Sequence, residues 1–218
     1  MVIRVQNIRL EPPYIVTKPD VSEEEYFALT NEDTNSELIE GEMIMFSPAT
    51  ARHEDLFRFL ITILSLYVRR ADLGKVFGSR FPVRLKPRTL PEPDVLFISK
   101  DRLGLITEKF LDGPADLVIE VLSKGTRRHD LGRKRPLYQE HRVPECWYVD
   151  PDNKRIMVDS LEGETYRSIT VSTGRVASKV IPGFWLEAEW LWEESLPDEL
   201  ETLGKILGRE FNGLVARP

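Results

Sequence analysis

Two apolar segments near the middle of the chain constrain the fold most strongly, because one of them contains a carboxylate. Asp94 stands just before the segment 95–98, and Glu120 lies inside the segment 117–122. Side chains alternate across a strand, so Glu120 shares a face with apolar neighbours. An ionised carboxylate withdrawn from water costs several kcal/mol unless a partner compensates it. Glu120 therefore needs either a paired arginine or lysine, or a divalent cation held jointly with Asp94.

The remaining pattern predicts a mixed α/β protein. The segments 93–98 and 116–122 are typical of central strands covered on both faces. Further strands are expected over 37–40, 43–46, 75–78, 80–86, 146–149, 155–159, 165–171 and 176–181. Helices are expected over 22–29, 51–71, a segment ending near 141, and 198–212. We expect an N-terminal arm over 1–21, one domain over 22–184 and an acidic, Trp-rich β/helical extension over 185–218.

Charge is distributed unevenly along the chain. The net charge is −6, but residues 187–201 contain seven acids and no base, so the remainder carries +1. Residues 124–135 contain six bases and only Asp130 as an acid. A local positive field attracts polyanions more than net charge does. A nucleic-acid partner is therefore compatible with this sequence, although such a run is also typical of a solvated helix face.

Composition favours a cytoplasmic globular protein. No run of about 18 apolar residues is present, so no membrane-spanning helix is expected. The first residues lack the apolar stretch of a signal peptide. A single cysteine, Cys146, excludes an intrachain disulfide and a Cys-rich zinc site.

Paired carboxylates on neighbouring strands suit a hard divalent cation. Such an ion is commonly held by two carboxylates and a main-chain carbonyl, with a nearby lysine that stabilises charge in the transition state. Asp94 and Glu120 would meet at one point of the sheet. The structural alternatives are that Asp94 is a turn residue and that Glu120 pairs with Arg84 or Arg128.

Several longer strings resemble one family of nucleases. They are Glu-Leu-Ile-Glu-Gly at 37–41, Asp-Leu-Val-Ile-Glu-Val-Leu-Ser at 116–123, Thr-Arg-Arg-His-Asp-Leu-Gly-Arg-Lys-Arg at 126–135 and Val-Pro-Glu-Cys-Trp-Tyr-Val-Asp-Pro at 143–151. Together with the pair Pro93-Asp94, they resemble the bacterial family of putative restriction endonucleases, a domain of unknown function in the PD-(D/E)XK nuclease superfamily. The resemblance extends from about residue 22 to 181. It implies a restriction-endonuclease-like α/β core with flanking helices.

The resemblance also implies roles for individual acidic residues. Asp94 and Glu120 would bind Mg²⁺ or Mn²⁺, with the main-chain carbonyl of Val121 as a third ligand. Glu40 matches the acidic residue that the fold often supplies from its first conserved element, although a hairpin turn also explains a carboxylate there.

The motif lysine is displaced in this chain. Its usual position holds Leu122, and the family resemblance points instead to Lys134 in the following helix. Pro136 complicates this placement, since proline is tolerated mainly in the first turn of a helix. Either the helix begins near residue 133 or it is distorted, and both affect the direction of Lys134. Lys124, just past the strand, is the competing candidate.

These residues lead to one main hypothesis and two alternatives. The main hypothesis is a Mg²⁺- or Mn²⁺-dependent DNA endonuclease, expected to be a homodimer because a duplex has two strands to cut. Four basic residues would contact the DNA: Lys124, Arg127, Arg128 and Arg133. The first alternative is a catalytically silent binding module on the same fold, and the second is a nuclease acting on RNA or branched DNA.

Overall fold

The computed structural model of the protein describes residues 11–31, 34–78 and 81–208. The strands in chain order are β1 Ile15–Lys18, β2 Ser36–Ile39, β3 Glu42–Phe46, β4 Gly74–Gly78, β5 Val83–Arg84, β6 Val95–Ser99, β7 Leu111–Asp112, β8 Leu117–Val121, β9 Glu145–Asp150, β10 Arg155–Glu162, β11 Thr165–Val171, β12 Arg175–Ala177 and β13 Trp185–Glu187. The α-helices are α1 Glu23–Leu29, α2 Ala51–Ala71, α3 Arg127–His129, α4 Arg135–Glu140 and α5 Glu199–Leu207.

A six-stranded mixed sheet forms the centre of the molecule. Its strand order is β11-β10-β9-β8-β6-β4, in which β8 and β9 run parallel and the other neighbours run antiparallel. A second sheet of three strands has the order β1-β3-β2. The two apolar segments around Asp94 and Glu120 are the adjacent strands β6 and β8, as predicted. The predicted mixed α/β fold is therefore confirmed.

Helix α2 covers one face of the central sheet. Thr50 caps it by accepting a hydrogen bond from the main-chain N–H of His53 at 3.3 Å. The predicted apolar stripe packs in the main core, with Leu56, Phe59 and Ile63 fully buried. In the described part of the chain, no helix is both long and apolar enough to cross a membrane. The segment of α3 and α4 packs on the opposite face, so β8 is covered on both sides.

The hairpin of β2 and β3 depends on a tight turn. Glu40 and Gly41 both have positive φ, 54° and 80°, as a type I′ turn requires. The preceding helix α1 begins at the predicted cap, where Ser22 accepts from the main-chain N–H of Glu25 at 3.1 Å. Both local predictions are confirmed, because each depends on residues close together in the chain.

Two predicted strands are much shorter than expected. Of the segment 80–86, the described residues 81–86 form the short strand β5 and an isolated bridge between Lys86 and Thr89, because Pro82 and Pro87 lack the N–H that a longer ladder needs. The segment 176–181 pairs only through residue 177, since Ser178 Oγ accepts from the main-chain N–H groups that follow and bends the chain. Helix α5 ends at Leu207 with Gly208 at φ 63°, and residues 209–212 lie outside the described residues.

Both flanking segments attach to the main body. Of the expected arm, residues 1–10 lie outside the described residues, while β1 adds to the hairpin by pairing with β3. The acidic extension has an apolar side that joins the main core around α2, through Leu186, Trp190, Leu191, Leu203 and Ile206. Its seven acids therefore lie on an amphipathic segment.

Candidate functional site

Asp94 and Glu120 converge at the start of β6. In the antiparallel pair of β6 and β8, Val95 stands opposite Ile119, so the residue before β6 lies beside Glu120. The main-chain N–H of Val121 donates to Oδ2 of Asp94 at 2.7 Å. The Asp94 side chain is 18% exposed, whereas that of Glu120 is 2% exposed. One carboxylate thus faces solvent and the other lies behind it.

Two side chains contact the same oxygen of Glu120. Lys134 Nζ lies 2.7 Å from Oε1, and the Tyr138 hydroxyl donates to Oε1 at 2.6 Å. Burial raises the pKa of Glu120 to about 7; the charge of Asp94 adds to this rise, while Lys134 and Tyr138 oppose it. Lys134 and Tyr138 therefore both contact Oε1, and neither of these two contacts uses Oε2.

Lys134 reaches this position through a π-helical turn. The turn, Asp130–Lys134, connects α3 to α4, and the main-chain N–H of Arg135 donates to the Asp130 carbonyl five residues earlier. Of the two possibilities raised by Pro136, the structure has the distorted helix, which begins at Arg127. Turns of this kind occur often at functional sites. The turn buries both Asp130 and Lys134 against the sheet.

Lys134 is surrounded by oxygen atoms. Its Nζ donates to the Glu92 carbonyl at 3.0 Å, and it lies 3.6 Å from Glu37 Oε2 and 3.8 Å from Asp130 Oδ1. Burial alone would lower the pKa of Lys134, but the carboxylates, Glu120 first among them, outweigh it and raise the pKa. The buried ammonium group therefore stays charged.

Glu37 lies in this cluster, and Glu40 does not. Glu37 is buried in β2, accepts a hydrogen bond from His129 Nε2, and accepts another from the main-chain N–H of Glu92 at 3.3 Å. Burial opposes ionisation of Glu37, yet Lys134 and then His129 outweigh it and lower its pKa. Glu40 is at the hairpin turn, 64% exposed, with its carboxylate 3.2 Å from a surface lysine. Of these two acidic residues of the first hairpin, Glu37 therefore lies beside Lys134 and Glu40 lies at the surface.

His53 approaches the exposed side of Asp94. Its Nε2 lies 3.4 Å from Asp94 Oδ2, and its Nδ1 lies 3.5 Å from Glu54. Burial would lower the pKa of His53, but the hydrogen bond and charge of Asp94 outweigh it and raise the pKa to about 9. His53 thus adds a positive charge at the start of α2.

A cleft of about 440 Å³ opens above these side chains. Its floor contains Asp94, Glu120 and Lys134. The walls come from the N-terminal segment, the residues before α2 and the loop after β8, and they include Pro12, Pro13, Tyr14, Phe46, Pro48, His53, Ser123, Lys124, Gly125 and Thr126.

The predicted DNA-contacting residues differ in their surroundings. Lys124 is exposed and lines the cleft, and Arg128 is exposed. Arg127 forms a two-pronged contact with buried Asp150, in which Nη2 lies 2.5 Å from Oδ1. Arg133 donates to a glutamate of β3 at 2.7 Å. Two of the four basic groups therefore have acidic partners within the fold.

The donor atoms at the cleft floor suit a hard divalent ion. Within residues 11–31, 34–78 and 81–208, no three His, Cys, Asp or Glu side chains are arranged to hold a metal. The expected set needs only two such side chains, Asp94 and Glu120, with the carbonyl of Val121 as an oxygen ligand. Burial and the charge of Asp94 raise the pKa of Glu120 although Lys134 lies beside it. The chemistry of these residues therefore fits Mg²⁺ or Mn²⁺.

Comparison with models of known protein families matches residues 23–189 to one family, Uma2, described as "Putative restriction endonuclease". The chain belongs to this family. A solved structure with a similar fold is titled as a putative nuclease belonging to DUF820 from Anabaena variabilis ATCC 29413. It is 15% identical, with a TM-score of 0.66, and the match covers 79% of this chain and 97% of that one. No curated protein matches the sequence. Membership of the Uma2 family and the shared fold support a nuclease-type function.

Sequence reasoning missed four members of the cluster: Glu37, His129, Asp130 and Tyr138. Glu37 carries the signal that singled out Glu120, a carboxylate within an apolar strand. His129 lies in the basic segment, and nothing in the sequence distinguishes it from an ordinary polar residue. Its contact with Glu37 of β2 arises only in the folded chain. Tyr138 follows Lys134 by four residues, one helical turn on the same face, and this spacing could have identified it.

Proposed function

We propose that this member of the Uma2 family is a metal-dependent endonuclease that hydrolyses DNA phosphodiester bonds. The observation that carries the proposal is the convergence of Asp94 and Glu120 at the floor of an open cleft, with Lys134 Nζ 2.7 Å from Glu120. Family membership and the fold support the nuclease class.

Asp94, Glu120 and the carbonyl of Val121 would hold Mg²⁺ or Mn²⁺. When bound, such an ion supplies an activated water and polarises phosphoryl oxygens. The N–H of Val121 orients Asp94, and Tyr138 orients Glu120. Both ligands are therefore fixed by hydrogen bonds before a substrate arrives, which is what preorganisation requires.

Lys134 would act through its charge. A lysine whose pKa is raised by neighbouring carboxylates keeps its proton at neutral pH, so it cannot serve as a general base. Its charge lies in a region with little water, where it stabilises a developing negative charge more strongly than a solvated lysine does. We therefore assign Lys134 to stabilisation of the phosphoryl group during hydrolysis.

DNA contacts would come first from the exposed basic residues. Lys124 lines the cleft and Arg128 is exposed, so both can reach phosphates without losing an internal partner. Arg127 and Arg133 would have to share their charge with Asp150 and Glu42. The expected homodimer stays a prediction.

One observation favours a catalytically silent binding module on the same fold. Lys134 occupies Oε1 of Glu120, and His53 lies beside Asp94, so each predicted metal ligand already has a cationic neighbour. Calorimetric titration with Mn²⁺ separates the two functions. The silent module predicts no binding, or binding that Glu120→Gln leaves unchanged.

The proposal is tested by cleavage of plasmid and single-stranded circular DNA in Mn²⁺. Asp94→Asn should abolish metal-dependent cleavage and keep the unfolding midpoint near that of the wild type. Asp101→Asn is the matched control, because Asp101 is exposed and lies outside the cleft. Cleavage retained in Asp94→Asn would refute the assignment.

A further inference from the structure

The candidate catalytic groups lie at the bottom of the cleft. Glu120, Lys134 and Glu37 are buried, and only Asp94 faces the opening. A phosphate group must therefore enter the cleft to come within contact distance of Asp94. If the reactive groups lay on the outer surface, a phosphate could reach them without entering a cleft.

Two segments of the chain wall the cleft and touch each other. Residues 12–14 form one wall and residues 123–126 another. A Cβ at Gly125 would lie 2.7 Å from the Cβ of Pro13, closer than side chains approach, so glycine alone permits this contact without a shift. The main-chain N–H of Ser47, just after β3, donates a hydrogen bond to the carbonyl of Tyr14 at 3.1 Å. This bond attaches residues 12–14 to the end of β3.

The size and lining of the cleft suit unpaired nucleotides. A volume of about 440 Å³ lies in the range of small-ligand pockets. The contact between residues 12–14 and 123–126 joins two walls of the cleft and restricts its opening, whereas a duplex presents two backbones with stacked base pairs between them. Tyr14 and Phe46 offer aromatic surfaces, and Lys124 offers a charge for the backbone. Aromatic surfaces beside a positive charge are the features by which proteins bind single strands.

From these contacts we infer that the site takes a single strand of DNA and excludes the intact duplex, an inference that rests on the proposed nuclease function. The strand enters the cleft beside the contact between residues 12–14 and 123–126, with a base against Tyr14 and its phosphate toward Asp94. Duplex DNA reaches the carboxylates only where it has opened, at a frayed end, a flap or a gap. Opening a paired base costs enough to produce about a tenfold or larger preference for single strands.

Fluorescence anisotropy measures this preference directly. The wild-type protein is titrated into a labelled single-stranded oligonucleotide and into the duplex of the same sequence, at low salt and without divalent metal. We expect the single strand to bind about tenfold or more tightly. Equal affinity, or tighter binding of the duplex, would overturn the inference.

A pair of neighbouring variants tests the route into the cleft. Tyr14→Ala should weaken single-strand binding about fivefold or more, because it removes a stacking surface. Ile15→Ala is the matched control, since Ile15 is 43% exposed and lies outside the cleft lining. Unchanged affinity in Tyr14→Ala, or an equal loss in both variants, contradicts the proposed route.

Cleavage assays separate this inference from the proposed function. With Mn²⁺, we expect the single strand and the unpaired part of a flap substrate to be cut faster than the duplex. Equal cutting of all three overturns the single-strand inference and leaves the nuclease function standing. Preferential single-strand binding with no cleavage of any substrate supports the inference and contradicts the nuclease function.

Discussion

The ammonium group of Lys134 lies 2.7 Å from Oε1 of Glu120, and both side chains are buried. Removing one partner of a buried ion pair leaves an uncompensated charge. We predict that Lys134→Met lowers the free energy of unfolding at neutral pH by about 3–5 kcal/mol and abolishes cleavage. Urea unfolding measures the first effect.

The matched control for this prediction is Lys179→Met, because Lys179 is 54% exposed and pairs only at the surface. It should unfold like the wild type. The double variant Lys134→Met with Glu120→Gln should recover part of the lost stability, since neither charge then remains. If Lys134→Met is as stable as the wild type, Lys134 does not compensate the carboxylates.

Tyr138→Phe should weaken metal binding without unfolding the protein. It removes the 2.6 Å hydrogen bond to Glu120, and losing a partner of a metal ligand typically costs about 10–100-fold in affinity. Calorimetric titration with Mn²⁺ measures this change. Tyr67→Phe provides the control, because that hydroxyl donates to the Pro182 carbonyl at 2.7 Å, away from the cleft. Equal Mn²⁺ affinity in the two variants would show that Tyr138 does not orient a ligand.

Glu37→Gln and Glu40→Gln should have opposite outcomes. Glu37→Gln removes a buried charge that Lys134 and His129 share, so both stability and cleavage should fall. Glu40→Gln changes an exposed carboxylate at a turn, so both should be retained. Loss of cleavage in Glu40→Gln alone would show that Glu40, as the motif first indicated, is the acidic residue that the site requires.

Arg128 and Arg127 of the basic segment should affect different properties, DNA affinity for the first and stability for the second. Arg128→Gln should lower DNA affinity and reduce the slope of log affinity against log salt by about one, with stability unchanged. Arg127→Gln should mainly lower stability, because buried Asp150 loses the bidentate contact of Arg127 and keeps those of Arg155 and Asn153. Anisotropy at several salt concentrations and thermal unfolding of both variants measure these effects.

Asp150 should make the protein sensitive to acid. Burial would raise its pKa, but hydrogen bonds from Arg127 and Asn153 outweigh this and hold the pKa at about 2, below the ordinary 3.8. A lowered pKa stabilises the folded state above the ordinary value. About 2 kcal/mol should therefore be lost as pH falls from about 4 toward 2. Asp150→Asn should remove this part of the acid dependence in urea unfolding, and an unchanged slope would contradict the assignment.

Local rules predicted most of the fold, and long-range contacts account for what they missed. The apolar segments gave β6 and β8, and their adjacency brought Asp94 beside Glu120. The burial of Glu37 depends on packing between the three-stranded sheet and the helix that carries His129, and no local pattern encodes that contact. The motif therefore indicated Glu40, three residues further on.

The acidic C-terminal stretch illustrates a different limit. Seven acids marked residues 187–201 as the acidic part of an extension, and apolar residues among and just after these acids, such as Trp190 and Leu203, belong to the main core with α2. A count of charges does not record which side of a segment carries them. The spacing of the apolar residues was the more informative signal here.

The π-helical turn has a consequence for insertions and deletions. Asp130, Lys134 and Tyr138 all face the sheet because the backbone between the first two winds more widely than an ordinary helix. Adding or removing one residue there would rotate every later side chain by roughly 100° about the helix axis. Lengthening or shortening this turn should therefore be far less tolerated than exchanging its exposed residues, since spacing along the backbone keeps the ammonium group pointed at the carboxylates.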